Sequence, residues 1–218
     1  MKATVQDFLR CGLAVVAILG LALVFVRFLV YPLTLRHVAD YHVVADFLAL
    51  LFAYGVVSGI AVRLLVFIGN IEAGEHAMDS ATFAYWKLLT IVHRLGQAAL
   101  LPFTPVFLRP VVASLFGARV GRNVAIGGSI DDPWLVTLGD GAVLGNNSLI
   151  AGSMIAGDRF TVGPVQIGAG ATVGANSIVL PGTELGEGAQ LLGGSIVVAG
   201  ARIPAGETWR GNPARKWQ

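Results

Sequence analysis

The sequence predicts two unlike parts, an N-terminal pair of membrane-spanning helices and a C-terminal all-β solenoid of parallel strands. Two long apolar segments, which begin at residues 11 and 47, indicate the first part in a chain that is 55% hydrophobic and 13% charged. Aliphatic residues that recur every six positions from Val120 onward indicate the second part. A period of six fits neither an α-helix nor a heptad repeat and is typical of a solenoid.

The two apolar segments are long enough to cross a bilayer. Residues 11–26 and 47–62 carry no charge, and apolar sequence resumes after Arg27 and Arg63. Each segment with its continuation exceeds the roughly 20 apolar residues that a tilted span requires. The first run is also longer than the roughly 7–15 apolar residues of a signal peptide, and a second run follows it. We therefore expect residues 1–70 to form a membrane hairpin.

Charged residues around the hairpin predict its orientation. Basic residues flank the spans on the side of the termini, at positions 2, 10, 87, 94 and 109. The positive-inside rule then places the termini and the β domain in the cytoplasm, at a bacterial inner membrane, with an outer loop near residues 33–45. Arg27 and Arg63 have two interpretations. They are intramembrane partners of an anionic lipid-linked substrate or of Asp46, or they snorkel to the headgroups.

Residues 71–118 are predicted to connect the hairpin to the solenoid. Apolar residues alternate there with Lys87, His93, Arg94 and Gln97, which is the pattern of an amphipathic helix on a membrane surface. Three prolines at positions 102, 105 and 110 then end regular helix. The net charge of +2 gives no indication of a nucleic-acid partner. A single cysteine, Cys11, excludes an intrachain disulfide framework and a cysteine metal cluster.

The solenoid is predicted over residues 119–218. Each hexad supplies one short strand and one turn, and stacked turns bury a continuous aliphatic core that no single hexad could bury alone. The first register contains Val120, Ile126, Asp132, Leu138, Leu144 and Ile150, and the second contains Ile167, Val173, Val179, Leu185, Leu191, Val197, Ile203 and Trp209.

The repeat is interrupted at two places. Asp132 occupies an aliphatic position, and because a carboxylate inside an apolar prism is costly, we expect this hexad to bulge outward. Between Ile150 and Ile167 the register slips, since 17 residues replace the 18 of three hexads, which indicates an excursion. Asp131 and Asp132 are then either a general base or substrate ligand, or a solvated turn.

The hexads, together with VQIGAGATVGANSIVLPGTELGEGA and the terminal WRGNPARKW, resemble the left-handed β-helix (hexapeptide-repeat) acyltransferases. The resemblance covers about 100 residues. It implies a left-handed parallel β-helix, a homotrimer with active sites between neighbouring prisms, and acetyl- or another acyl-coenzyme A as co-substrate. It also implies that the pantetheine arm passes Ala175, Gly193 and Gly194, and that the closing element binds the coenzyme through Asn212, Pro213, Ala214, Arg215 and Lys216, the last two meeting the nucleotide phosphates.

A narrower resemblance extends upstream of the repeats. IGNIEAGEHAMDSATFAYWKLL, LFGARVG, DDPWLVTLGDGAVLG and PAGETWRGNPA are similar to the membrane-linked C-terminal region of poly-lysine-type nonribosomal peptide synthetases. That region likewise joins membrane spans to hexapeptide repeats. The adenylation and carrier modules of those synthetases are absent from this sequence, so their activity does not carry over.

The general base that the acyltransferase resemblance implies is a histidine, yet residues 119–218 contain none. At the position where the family usually has its base, the sequence reads Ala151–Met154. One explanation is that a carboxylate, Asp131, Asp132 or Asp158, serves instead. Ser153, at the usual position, cannot act as a base without another group to deprotonate it, and it completes the set of candidate catalytic residues. A second is that His76 or His93 reaches in from the connector. The third is that the prism does not catalyse acyl transfer.

Two functions remain as hypotheses. The first is a membrane-anchored acyltransferase that moves an acetyl or short acyl group to a hydroxyl or amine of an envelope glycan or lipid-linked acceptor. The second is a non-catalytic trimeric scaffold that assembles a partner enzyme in the membrane. A zinc-dependent carbonic anhydrase is disfavoured because the repeats lack histidine ligands, so no metal is expected.

Overall fold

A computed structural model describes residues 4–69 and 71–217. Its N-terminal part contains two long helical rods. Helix α1 (Val5–Phe25) continues through a π-helical turn (Val26–Val30) into α2 (Tyr31–His37), and a 3₁₀ turn (Ala39–Tyr41) leads into α3 (His42–Ile68). The rods of 33 and 30 residues are long and apolar enough to cross a membrane. Their large apolar side chains are mostly exposed, as Phe28 is at 72%.

Polar groups within the rods find local partners. Thr34 donates a hydrogen bond to Asp46 at 2.6 Å, and the guanidinium of Arg27 lies over the ring of Tyr31. Arg63 donates to the carbonyl oxygens of Ser114 and Leu115 at 2.6 and 3.2 Å. Arg63 therefore does not pair with Asp46, because it binds the C-terminal end of a later helix.

Helix α4 (Ala81–Leu100) begins at the cap residue Ser80 and runs antiparallel along the second half of α3. Small residues permit close approach, since Gly96 contacts Ser58 and Gly55 contacts Leu100. The apolar face of α4 is buried in one cluster with residues of α1, α3 and α5 (Arg109–Leu115). The prediction that this face lies on a membrane surface is wrong, because neighbouring helices already cover it.

The C-terminal part is a three-faced prism of short parallel strands. The first face contains β2 (Arg119–Val120), β5 (Val136–Leu138), β10 (Val165–Ile167), β13 (Glu184–Leu185) and β16 (Arg202–Ile203). The second contains β3 (Ala125–Ile126), β6 (Val143–Leu144), β11 (Thr172–Val173), β14 (Gln190–Leu191) and β17 (Thr208–Gly211), to which β18 (Ala214–Lys216) adds antiparallel. The third contains β4 (Ser129–Ile130), β7 (Leu149–Ile150), β12 (Ile178–Val179) and β15 (Ile196–Val197).

The repeat aliphatics fill the interior of the prism, as the six-residue period predicts. Ile150, Val173, Leu185 and Ile203 are at most 1% exposed and belong to one continuous cluster. Helix α5 packs on β2 and β3 at the N-terminal end of the prism. One turn of chain therefore makes three strands and three corners.

The slip between Ile150 and Ile167 is an excursion, as predicted. Its residues form an antiparallel hairpin of β8 (Ser153–Ala156) and β9 (Arg159–Val162). Strand β1 (Gly74–Ala77), which comes from the connector, pairs antiparallel with β9. Phe160 of the hairpin is fully buried against Phe83 and Trp86 of α4. The excursion thus forms a three-stranded antiparallel sheet with β1, and this sheet joins the connector to the prism.

We predict that Gly145→Ala destabilises the prism. A Cβ at Gly145 would lie 2.5 Å from the backbone nitrogen of Ala175 on the next coil, so the two coils would have to separate. Gly188→Asn is the matched control, because φ at Gly188 is +66° and a Cβ there meets no atom within 4 Å. Thermal unfolding in detergent should show a lower Tm for the alanine variant alone. Equal Tm values would mean that the coils do not pack this closely.

Candidate functional site

Asp132 is buried rather than exposed in an outward bulge. It is 1% exposed, and its carboxylate accepts hydrogen bonds from Trp86 Nε1 at 2.8 Å and Ser153 Oγ at 2.7 Å. Ile130 takes the aliphatic position of this coil, so Asp132 lies at the following corner, beneath α4 and the hairpin. The carboxylate is kept out of the prism core, as expected, and a 3₁₀ turn (Pro133–Leu135) extends the corner. The alternative of a solvated turn is wrong, because α4 and the hairpin cover the corner and supply both donors. Burial raises the pKa of the Asp132 carboxyl.

The four candidate catalytic residues do not form one site. Asp132 and Ser153 are directly bonded. Asp131 is half-buried and pairs with Arg94 at 3.1 Å. Asp158 is exposed at the tip of the β8–β9 hairpin, well separated in the hairpin from the bonded pair. The geometry thus gives Asp132 a linking role, and Asp158 does not line the cavity described below.

The residues expected to accompany a pantetheine arm share one corner of the prism, between its second and third faces. Gly194 donates its N–H to the carbonyl oxygen of Ala175 at 2.8 Å, and Asn176 donates to that of Asn146 at 2.9 Å. Ala175, Gly193 and Gly194 are all exposed. Since adjacent strands are about 4.8 Å apart, the three steps from Asn146 through Ala175 and Gly193 to Gly211 cover roughly 14 Å.

The closing element is a tight antiparallel hairpin at the far end of this corner. Gly211 pairs with Ala214, and the Gly211 N–H donates to Ser195 Oγ at 3.1 Å. Asn212, Pro213 and Arg215 are exposed, whereas Ala214 is buried. Lys216 is paired with Glu207 at 2.6 Å, and this hydrogen bond is the main cause of the lowered pKa of Glu207. Arg215 is therefore the less engaged of the two predicted phosphate ligands.

At the near end of the same corner, α4, α5 and the first two coils enclose a cavity of about 520 Å³. Its charged and polar lining side chains are His93, Arg94, Gln97, Thr104, Arg109, Ser129, Asn146 and Asn147. Asn146 and Asn147 belong to the corner that carries Ala175 one coil further on. The cavity and the proposed coenzyme path are therefore continuous along one edge of the prism.

His93 is the histidine in this cavity. It is 2% exposed, packs edge-on against Phe116 and Trp134, and its Nδ1 has no hydrogen-bond partner among the described residues. Burial, with a smaller contribution from neighbouring Arg94, lowers the pKa of His93 from 6.5 to about 4. The imidazole is therefore neutral at pH 7 and can accept a proton, although a pKa this far below pH 7 makes it a weaker base than an ordinary imidazole. An unmet buried hydrogen bond costs about 1–3 kcal/mol, which a ligand could recover.

The other histidine of the connector lies elsewhere. His76 is on β1, paired with Phe160, and its Nε2 lies 2.8 Å from the carbonyl oxygen of Glu72. The sequence did contain a signal for His93. It shares a helical face with Leu89, Val92, Gly96 and Leu100, all buried, so it was a polar residue at an apolar position of an amphipathic helix. No comparable sequence pattern indicated that Arg109 would line the cavity.

No cluster of three or more metal-ligating side chains is found within residues 4–69 and 71–217. The site is instead composed of one neutral imidazole, two guanidinium groups and several amides and hydroxyls. Such a set can accept a proton, bind an anion and orient a hydroxyl-bearing ligand.

Comparison with known proteins identifies the repeats. Residues 164–199 match the family model described as the hexapeptide repeat of succinyl-transferase, so this part of the prism consists of hexapeptide repeats. No curated protein matches the chain.

Several solved structures share part of the architecture. A hexapeptide-repeat acetyltransferase from Vibrio cholerae O1 biovar eltor, complexed with acetyl-coenzyme A, is 18% identical over 47% of this chain and 60% of its own, with a TM-score of 0.42. A galactoside acetyltransferase in complex with coenzyme A is 17% identical over 53% and 71%, with a TM-score of 0.42. A maltose O-acetyltransferase from Clostridium difficile 630 is 18% identical over 68% and 98%, with a TM-score of 0.45. At these values the likeness says nothing about activity.

We predict that Asp132→Ala lowers the free energy of unfolding by about 2–4 kcal/mol, because it leaves the Trp86 and Ser153 donors buried without an acceptor. Asp132→Asn is the control, since its amide can still accept from Trp86 and donate to Ser153. Chemical denaturation of the detergent-solubilised protein measures both. A catalytic role for Asp132 would instead appear as lost turnover with unchanged stability.

A second prediction concerns pH. The pKa of His93 is about 4 in the folded protein, below the ordinary value of 6.5 that applies to the unfolded chain. As the pH falls, the unfolded chain therefore binds a proton at this residue before the folded protein does. Stability should therefore fall by about 3 kcal/mol between pH 6.5 and pH 4. His93→Phe should lose this component while keeping the contacts with Phe116 and Trp134. Denaturation of both proteins at several pH values tests it, and an identical pH slope for the two would contradict it.

Proposed function

We propose that the protein is a membrane-anchored acyltransferase that moves an acetyl or other short acyl group from acyl-coenzyme A to a hydroxyl or amine. The acceptor is a group on an envelope glycan or lipid-linked intermediate. In this proposal residues 1–70 form the membrane hairpin, 71–118 the connector and 119–218 a left-handed β-helix. The prism works as a homotrimer on the cytoplasmic side of a bacterial inner membrane.

The observation that carries this proposal is the continuity of one prism edge. It runs from the cavity that contains His93, past Ala175, Gly193 and Gly194, to the hairpin that contains Asn212–Ala214. An extended arm laid along exposed small residues would place its nucleotide end near Arg215 and its acyl end at the cavity. The hexapeptide repeats of residues 164–199, which match a succinyl-transferase family model, agree with this use of the prism.

His93 is the proposed general base in place of a histidine in the repeats. A neutral alcohol is a poor nucleophile, and a base within hydrogen-bond reach accelerates its attack by about 10²–10⁴-fold. The acceptor hydroxyl would give its proton to the imidazole as its oxygen attacks the thioester carbonyl. The C–S bond of the tetrahedral intermediate would then break, and the imidazolium would return the proton to the departing sulfur, so that coenzyme A leaves as the thiol and His93 is neutral again. The side-chain amides of Asn146 and Asn147, which line the cavity at the end of the coenzyme path, would donate hydrogen bonds to the negative charge that develops on the carbonyl oxygen.

The membrane location is supported by the surface of the two rods. Side chains such as Phe28, Leu29 and Leu33 are 58–72% exposed on helices that are long and apolar enough to cross a membrane. Soluble monomers rarely expose apolar patches of this extent, and a bilayer removes them from water. A catalytic domain held at the bilayer would have ready access to acceptors that are themselves membrane-bound.

We predict that His93→Gln lowers turnover by about 10²–10⁴-fold and leaves the dissociation constant for acetyl-coenzyme A unchanged. His76→Gln is the matched control, because His76 lies on β1 outside the cavity lining and should keep full activity. Release of free coenzyme A thiol in the presence of a membrane extract reports turnover, and calorimetry reports binding.

The outcomes separate the two functional hypotheses. Absence of acetyl-coenzyme A binding at high micromolar concentration would defeat the acyltransferase and favour the non-catalytic trimeric scaffold. Binding with full activity in His93→Gln would keep the enzyme but remove His93 as its base. In that case the half-buried Asp131, which pairs with Arg94 beside the cavity, would be the next group to test.

A further inference from the structure

We propose that the cavity beside His93 binds the phosphate headgroup of a membrane lipid through Arg94 and Arg109, with the lipid tail leaving along the apolar segment 101–111. That a lipid bound in this way carries the hydroxyl or amine that accepts the acyl group rests on the proposed function. The binding site itself rests on the charge, the hydrogen bonding and the position of the cavity.

The cavity lining is basic. It includes Arg94 and Arg109 but no carboxylate among the described residues, and its other polar side chains are neutral. Asp131 lies outside the lining and pairs with Arg94 at 3.1 Å. The Arg94 side chain nevertheless remains 57% exposed. The carboxylate of Asp131 thus neutralises only one of the two guanidinium charges, and the remaining positive charge can attract an anionic ligand.

Arg109 is held in place for such a ligand. Its Nη1 donates to the carbonyl oxygens of Gly127 and Ile126 at 3.0 and 3.4 Å, which fixes the guanidinium against the first coil. Its remaining N–H groups have no acceptor in the described part of the chain. A planar guanidinium with free donors in a fixed orientation binds phosphate oxygens well, often through two parallel hydrogen bonds.

The rim of the cavity indicates an amphiphile rather than a free anion. Leu101 lines the cavity and is 71% exposed, and the following segment also exposes Val106, Phe107 and Val111, by 62–76%. A soluble phosphate compound would make no use of this apolar strip. A lipid would bury its tail against the strip while its headgroup reaches the arginines, which combines apolar burial with charge attraction.

The coenzyme is a less suitable occupant of these arginines. Its proposed nucleotide site lies at the far end of the prism edge, near Arg215, roughly 14 Å along the corner from Asn146 at the cavity. A single prism edge would therefore receive two anionic ligands from opposite ends. Their reacting groups would meet beside His93.

Native mass spectrometry of the full chain in non-ionic detergent, titrated with dioleoyl phosphatidic acid, tests the proposal. We expect saturable binding that Arg94→Gln and Arg109→Gln each weaken by about tenfold to one-hundredfold. Arg202→Gln is the matched control, because Arg202 is exposed and pairs with Glu184 on another part of the prism. Arg94 makes no contact with the prism backbone, so its variant tests the site even if Arg109→Gln loosens the fold. Dioleoyl phosphatidylcholine should not saturate this site.

Four results would overturn the proposal. An equal loss in Arg202→Gln would show general surface charge, and unchanged binding in both cavity variants would place the lipid elsewhere. Displacement by an equal concentration of inorganic phosphate would identify a free-phosphate site. Displacement by coenzyme A would assign the arginines to the coenzyme. Lipid binding by a protein that does not bind acetyl-coenzyme A would defeat the acyltransferase and leave the lipid site intact.

Discussion

The carboxylate of Asp132 is the contact on which the packing of the connector against the prism depends. Its two oxygens join α4 of the connector, through Trp86, to Ser153 at the start of the hairpin, and Asp132 itself belongs to the first coil of the prism. Three segments of different structure therefore meet at one buried group. A buried carboxylate is costly unless its oxygens are satisfied, so this contact tolerates little displacement. Together with the apolar packing of α4 on the hairpin, it holds α4 against the prism, where His93 and Asn146 line the same cavity.

Much of the fold could be predicted because it depends on local periodicity. The six-residue repeat identified the strands and the aliphatic core, since Ile150, Val173 and Leu185 recur at fixed spacing and are all buried. Long apolar runs identified the two helical rods. The interruption after Ile150 identified the hairpin. Each of these signals lies within one stretch of sequence, and its physical cause is short-range.

The site was harder to predict because it is formed between distant segments. Asp132 looked like an exposed turn residue, and only the packing of Trp86, which is 46 positions away, explains its burial. The amphipathic pattern of α4 was recognised, but sequence alone did not tell whether lipid or α3 covers its apolar face. For the same reason, the sequence offered His93 only as one of several candidates for the general base. Its role depends on the direction in which one helix face points, which tertiary contacts decide.

The pairing of β1 with β9 affects how the protein can be studied. A fragment that begins at the first coil would contain every hexad, yet its hairpin would lack the neighbouring strand Gly74–Ala77 and the aromatic partners Phe83 and Trp86. The backbone of β9 would then present unpaired hydrogen-bonding groups beside an uncovered Phe160, which is a surface that promotes aggregation. The cavity would also lose the wall that α4 supplies. The excised β domain would be a poor substitute for the whole chain, and its inactivity would say nothing about the intact protein.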